Sequence, residues 1–235
     1  MDPSQLASGI VYYIVFLFST TLHEAAHAWA AMVGGDLTAY HGGQVSLDPR
    51  PHIRREPFGM LVLPLISTLL SGWPFGYASA PYDPRWAMRY PRRAAWMALA
   101  GPGANLALVL IAFVAIRLGV AVGVFYPPHS ARFGEIVGVH ALGLWPGIAY
   151  ILGVVLSMNL LLACLNLIPL PPLDGSGAVM LFMNEGMALS YQQMLWQNPM
   201  LGMAGMVMAW RLFDVVFHPV FWFVVKLLYP GSSYS

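Results

Sequence analysis

Charge is what this sequence has least of. Only 9% of its 235 residues are Asp, Glu, Lys or Arg, where a soluble domain carries about 25%, and that shortfall excludes an ordinary water-soluble globule. Cysteine is nearly missing too. Cys164 is the single one, which excludes an intramolecular disulfide and a thiolate metal cluster, and its place in an apolar run marks it as a small buried hydrophobe. No basic residue stands in Met1–Ser8, and the apolar run leads straight into charged and histidine residues, so the first apolar run reads as a retained helix, not a cleaved leader. Linkers, low-complexity tracts and internal repeats are absent, and no polar stretch is long enough to fold alone. The expected organisation is therefore one integral-membrane domain over 1–235, with a core at about 8–180 and a C-terminal surface helix and membrane segment at about 176–229.

Apolar sequence dominates instead: 58% of residues are hydrophobic and the mean hydropathy is +0.65. Residues 8–22, 58–72, 94–116, 141–165 and 199–210 are long apolar stretches, and about 20 residues of helix cross a bilayer. The predicted fold is an all-α multi-pass membrane protein with a small β-hairpin or re-entrant element. A first helix is expected over Gln5–Val33, stopped by Gly34-Gly35. The stretch Leu37–Leu47, alternating loosely around Gly42-Gly43, predicts the hairpin. Phe58–Trp73 lies between basic clusters, so a full crossing would put one cluster outside; a dip that returns, or an even number of crossings, satisfies the positive-inside bias. Gly72, Pro74, Gly76 and Pro81 then give irregular backbone, tolerated at membrane depth only when packed in protein or lining a wet cavity. Further spans are expected at Ala94–Val124 and about His140–Leu167, a surface helix over Ser176–Trp196, and a last segment over Met200–Leu228. In that segment Arg211 and Asp214 share one helix face and are expected to form an ion pair or an interfacial belt.

Seven of the eleven basic residues lie between Arg50 and Arg93. Such a cluster marks a cytoplasmic membrane face and not a nucleic-acid site. With it inside, the N-terminus and the loop at Pro127-Pro128 fall outside, and His23 and Asp174 arrive at a similar depth near the inner side.

The informative string is His23-Glu24-Ala25-Ala26-His27, in an apolar stretch free of proline and glycine from Val11 to Ala31. Four residues are about 400° of turn and 6 Å of rise, so both imidazoles share a face and can chelate one ion. Glu24, rotated by about 100°, stands beside that ion, where a carboxylate takes a proton from a metal-activated water. By composition, H-E-x-x-H arises by chance in roughly three or four such chains per thousand. Ionisable groups at mid-bilayer cost about 2.5–3.5 kcal/mol each, so three in one helix require a purpose. Zinc takes a third protein ligand in catalytic sites. Candidates near apolar segments are Asp174, Asp214, His140, His218 and Asp36. Asp174 follows Asn166-Leu-Ile-Pro169-Leu-Pro171-Pro172-Leu, where prolines break the helix; alone it is as easily the cap of the next helix, but with the histidine pair ligation is favoured. His41 and His52 are read as surface or hydrogen-bonded residues, His129 with His140 and His218 as lying at expected interfaces, and Asn105 as a helix-to-helix hydrogen-bonding residue.

Three motifs together resemble the site-2 protease family of intramembrane zinc metalloproteases: His23-Glu24-x-x-His27, Gly101-Pro102-Gly103-Ala104-Asn105 and Asn166-x-x-Pro169-x-Pro171-x-x-Asp174-Gly175. Residues 44–53, 75–84 and Pro91-Arg92-Arg93 are similar to its short prokaryotic branch without PDZ or CBS domain, and the resemblance covers about 10–180. It implies one zinc per chain on His23, His27 and Asp174, Glu24 as catalytic acid/base, and Asn166 assisting near the substrate. It also implies hydrolysis of peptide bonds within or beside transmembrane helices of a membrane-protein substrate, in regulated intramembrane proteolysis, with the enzyme in the plasma membrane of a prokaryote. Nothing in the sequence identifies the substrate, a regulatory partner or an oligomeric state. Two alternatives remain at this level: a divalent-metal transporter using an intramembrane His/Glu site, and an inactive helix-binding relative, against which the intact Glu24 argues.

The orientation is testable. In a Cys164→Ser background, a cysteine at position 90 should react with impermeant maleimide only from the cytoplasmic face; labelling from outside overturns the topology.

Overall fold

The computed structural model describes residues 3–232; Met1, Asp2 and Ser233–Ser235, the ends of the expected domain, lie outside the described residues. The elements in order are α1 (Pro3–Val33), α2 (Thr38–His41), α3 (Pro49–Arg55), a π-helical turn (Phe58–Val62) running into α4 (Leu63–Ser71), α5 (Pro84–Arg89), α6 (Pro91–Ala121), β1 (Phe125–Tyr126), β2 (Gly138–Val139), α7 (Trp145–Asn166), α8 (Asp174–Ala178) with a 3-10 turn (Val179–Phe182), α9 (Glu185–Gln197) and α10 (Met200–Leu228). Among the described residues, α1, α6, α7 and α10 are long and apolar enough to cross a membrane. This is the all-α, multi-pass architecture expected. α6 lies against both α1 and α7, and α10 packs mainly on α7. Their outward side chains, among them Leu110, Ile111, Val207, Val215 and Phe223, are exposed apolar groups. α6 begins at Pro91, three residues before the expected start, and α7 begins at Trp145, with Pro146 in its first turn.

The sheet is small and antiparallel, pairing Phe125 with Val139 and Tyr126 with Gly138. It does not lie where the hairpin was expected. Around Gly42-Gly43 the chain makes the single-turn α2. A two-residue type I′ hairpin needs positive φ at both central positions, whereas Gly42 has φ −76° and only Gly43, at 73°, is left-handed. The cause is local. The Asp36 carboxylate accepts from both the N–H and the hydroxyl of Thr38, starting a turn whose N–H groups point back along the chain to Leu37, Thr38, Ala39 and Tyr40. Two further expectations are corrected. Ser176–Trp196 is not one helix, because Met183 is extended and the Asn184 side chain caps a fresh helix at Met187. Of the two readings of Arg211 and Asp214, the ion pair does not form among the described residues, and the interfacial belt stands as an expectation.

Phe58–Ser71 is a shorter apolar helix after which the chain turns back on itself. Fourteen helical residues reach about 21 Å, short of a hydrocarbon core of about 30 Å. Gly72, at φ 74°, turns the chain, and extended backbone then descends at about 3.3 Å per residue, so that by Tyr77 its N–H donates to the Gly59 carbonyl at 3.1 Å. On the way Phe75 N–H donates to Ser67 Oγ at 2.8 Å. Ascending helix and descending strand touch backbone to backbone: a Cβ on Gly59 would collide with the Tyr77 carbonyl, and one on Gly76 with the Gly59 carbonyl. Gly59→Val should therefore destabilise the loop by about 1–3 kcal/mol, seen as a lower unfolding temperature of the detergent-solubilised protein. A midpoint equal to the native one would mean the close approach is not required.

Candidate metal centre

His23, Glu24 and His27 lie on the inward face of α1 and are 6%, 6% and 5% exposed. The helical period stacks the two imidazoles, with Nε2 to Nε2 at 2.9 Å. Asp174, on the first residue of α8 after the proline-rich bend, brings Oδ2 to 3.0 Å from His23 Nε2 and 3.3 Å from His27 Nε2. Of the five sequence candidates for a third ligand, Asp174 is the one brought to the pair. Asp36 holds Thr38 and the Asp83 N–H, His140 lies against the Tyr126 ring, His218 accepts from the Trp222 indole, and Asp214 is exposed on α10.

Hydrogen bonds on the far side of each ring fix what the near side offers. His27 Nδ1 must donate to the Met97 carbonyl, at 2.7 Å. Asn159 Nδ2 donates to Ser19 Oγ and to the Val155 carbonyl, which turns its Oδ1 toward Asn105 Nδ2. Asn105 Oδ1 consequently faces His23 Nδ1, at 2.6 Å, and accepts its proton. In the neutral rings both Nε2 atoms are then lone-pair acceptors. Two such atoms and a carboxylate oxygen, all within 3.3 Å of one another, repel unless a cation stands among them. Their separations are close to the edge, about 3.3 Å, of a tetrahedron with metal–ligand bonds of 2.0–2.1 Å. The donor set therefore fits zinc, with nitrogen, nitrogen and oxygen ligands and both imidazoles oriented from behind.

Glu24 stands beside this group: one ligand atom from each of His23, Glu24 and His27 lies within 4.8 Å of the others. Its Oε2 is buried without a hydrogen-bond partner. A cavity of about 290 Å³ opens beside Glu24, His27 and Asp174, bounded by the extended backbone at Ala78–Ala80 and by Gln192 and Trp196 of α9. Asn166 ends α7 with its amide donating to the Leu162 carbonyl, and it does not line this cavity.

Gly101, in a motif the sequence singled out, lies where a Cβ would overlap both imidazole Nε2 atoms, so only glycine lets α6 pass this close. Sequence reasoning missed Asn159 and Ser19, and the signal available for Asn159 was a lone amide in an apolar span. Asn105 had been read as a bond between helices, which it is, but it also holds a candidate ligand.

Fold and site together define a class: a bundle of bilayer-length helices enclosing a His-His-Asp cation site with an unpartnered glutamate at its side. No family model and no solved structure matches the chain, but several curated proteins are similar to it. It is 34% identical over 163 residues, 69% of this chain and 64% of the relative, to a protein of Bacillus subtilis (strain 168) named "Putative zinc metalloprotease YwhC". Over 180 residues, 76% of this chain and 60% of the relative, it is 34% identical to "Putative zinc metalloprotease Rip2" of Mycobacterium tuberculosis. A Rip2 of Mycolicibacterium smegmatis is 31% identical over 164 residues, 70% of this chain and 54% of the relative. The chain thus spans less than two thirds of the length of the curated relatives it matches. These names support a zinc metalloprotease family for this chain and give none to a transporter.

Replacing Asn105 by Leu removes the acceptor behind His23. Zinc affinity, measured by chelator competition, should weaken by about 10- to 100-fold; unchanged affinity would show that the ring is oriented by other contacts.

Proposed function

We propose that this protein is an intramembrane zinc metalloendopeptidase of the site-2 protease type, cutting peptide bonds within or next to transmembrane helices of other membrane proteins as a step of regulated intramembrane proteolysis. The observation that carries this reading is the convergence of His23, His27 and Asp174 beside Glu24, whose Oε2 is unpartnered, at a cavity that Glu24, His27 and Asp174 line, among helices of membrane-spanning length. One zinc per chain is held by those three side chains. Bound there, it supplies Lewis acidity to water and to the scissile carbonyl. Glu24 takes a proton from the attacking water and delivers it to the departing amine nitrogen, and its burial beside an open cavity suits a group that must change protonation state twice per turnover. Asn105 and the Met97 carbonyl keep the two imidazoles in place throughout. Asn166, bonded back to its own helix, is given no step.

A substrate helix must be opened before it is cut, because its amides are shielded by their own hydrogen bonds. The extended stretch Ala78–Tyr82 beside the site supports that requirement, since it is backbone at membrane depth lining a cavity. In this reading the basic segment 50–93 faces the cytoplasm, the N-terminus lies outside, and the enzyme resides in the plasma membrane of a prokaryote, with the bilayer and a transmembrane substrate as its partners. The transport alternative has nothing to extend it: the polar chain from His23 through Asn105 and Asn159 ends at Ser19, hydrogen-bonded within itself.

Two variants separate binding from chemistry. Asp174→Ala should lose most of the bound zinc by elemental analysis and with it the cleavage of a single-span substrate. Glu24→Gln should retain zinc and lose cleavage by at least about a hundredfold. Full zinc in the first variant removes Asp174 from the ligand set, and native cleavage by the second refutes the acid/base role.

A further inference from the structure

α9 carries two adjacent glutamines with opposite surroundings. Gln193 is exposed, as expected on a surface helix, whereas Gln192 is 5% exposed and lines the same cavity as Glu24, His27 and Asp174. Its Oε1 is buried without a hydrogen-bond partner. A buried amide oxygen left unpaired is destabilising, and an apolar residue of the same shape would be the more stable choice. Around it the helix is anchored: Ala188 is buried in the cluster with Met97 and Met180, and Trp196 of α9 lines the cavity opposite Tyr82 of the extended segment. The unpartnered oxygen is thus held in place at the site and not merely adrift on a loose helix.

An acceptor of this kind, neutral and fixed beside a peptidase centre, complements the one donor that every peptide carries at regular intervals, the backbone N–H. We propose that Gln192 is a substrate-binding residue whose Oε1 accepts a backbone N–H of the opened substrate segment in the cavity, and that α9 is therefore a wall of the substrate cleft. This rests on the protease reading above. Because the contact is to backbone, it selects an unwound segment whatever its side chains. A helical substrate keeps that N–H for itself and gains nothing from Gln192.

The test uses Gln192→Met, close to glutamine in shape, with a single-span peptide substrate and a series of analogues in which one backbone N–H near the scissile bond is replaced by an ester oxygen. With the native enzyme one ester position should lower kcat/KM by about tenfold, the size of one hydrogen bond to an otherwise unpaired group. Gln192→Met should lower kcat/KM on the all-amide peptide by the same factor and cause no further loss at that ester position. In a metal-free Glu24→Gln background, adding Gln192→Met should weaken binding of the fluorescent all-amide peptide by about tenfold, a readout independent of turnover. The unfolding temperature of Gln192→Met should equal or exceed the native one. A lower unfolding temperature would assign Gln192 a structural role and overturn the proposal, as would native cleavage by Gln192→Met or losses that multiply at every ester position. If the native zinc-loaded protein cleaves no peptide, the protease reading falls and takes this proposal with it; cleavage that ignores Gln192 removes the proposal alone.

Discussion

Two histidines and two carboxylates are enclosed by helices whose other faces are apolar, and each of these polar groups is tolerable only if something meets it. An unpaired amide or hydroxyl in a low-dielectric interior costs several kcal/mol, and an unpaired charge more. The bundle meets the demand with a single connected chain: Ser19, Asn159, Asn105 and His23 across three helices, and His27 on the Met97 carbonyl. These bonds join α1, α6 and α7 at one depth, so the same contacts that satisfy the site also fix how the helices are set against one another. Small side chains make that possible. Ala28, Ala95 and Ala163 are fully buried, and Gly101 leaves room for both imidazoles.

The network closes around everything except the near faces of the rings, the Asp174 oxygen and Glu24. What remains is three acceptors within 3.3 Å of one another and a fourth, unpartnered carboxylate oxygen. Acceptors packed this closely, with a buried carboxylate oxygen beside them, form a group that could hold a metal ion. The re-entrant loop completes the surroundings. Its return strand brings Ala78–Ala80 to the cavity, and Asp36, by accepting the Asp83 N–H, anchors the end of that strand to the end of α1.

Much of this architecture was legible. The long spans follow from run length and hydropathy, whereas charge on both sides of Phe58–Trp73 left a returning dip and an even number of crossings both open. The hairpin near Gly42-Gly43 was misread because a Gly-Gly pair carries no information about which φ each glycine adopts, and a single side chain, Asp36, redirected the backbone of Thr38. Arg211 and Asp214 have the spacing of a pair but not the contact, since sharing a helix face permits an ion pair without compelling one. Gln192 and Gln193 are identical in type and adjacent, and no pattern in α9 distinguishes them.

The sequence by itself determined the features that depend on short separations: helical spans, the stacking of His23 and His27 one turn apart with Glu24 beside them, and the break after Asn166. These follow from the helical period, the absence of an N–H in proline and the length of an apolar run, and they need no partner from elsewhere in the chain. The tertiary structure alone decided which distant carboxylate meets the histidines, which amides orient them, that Gly101 must have no side chain, and which glutamine turns inward. Each of these is a meeting of residues tens of positions apart, 151 between His23 and Asp174, and its geometry is set by how α1, α6 and the segment after α7 pack, a property of the assembled bundle that no local spacing encodes.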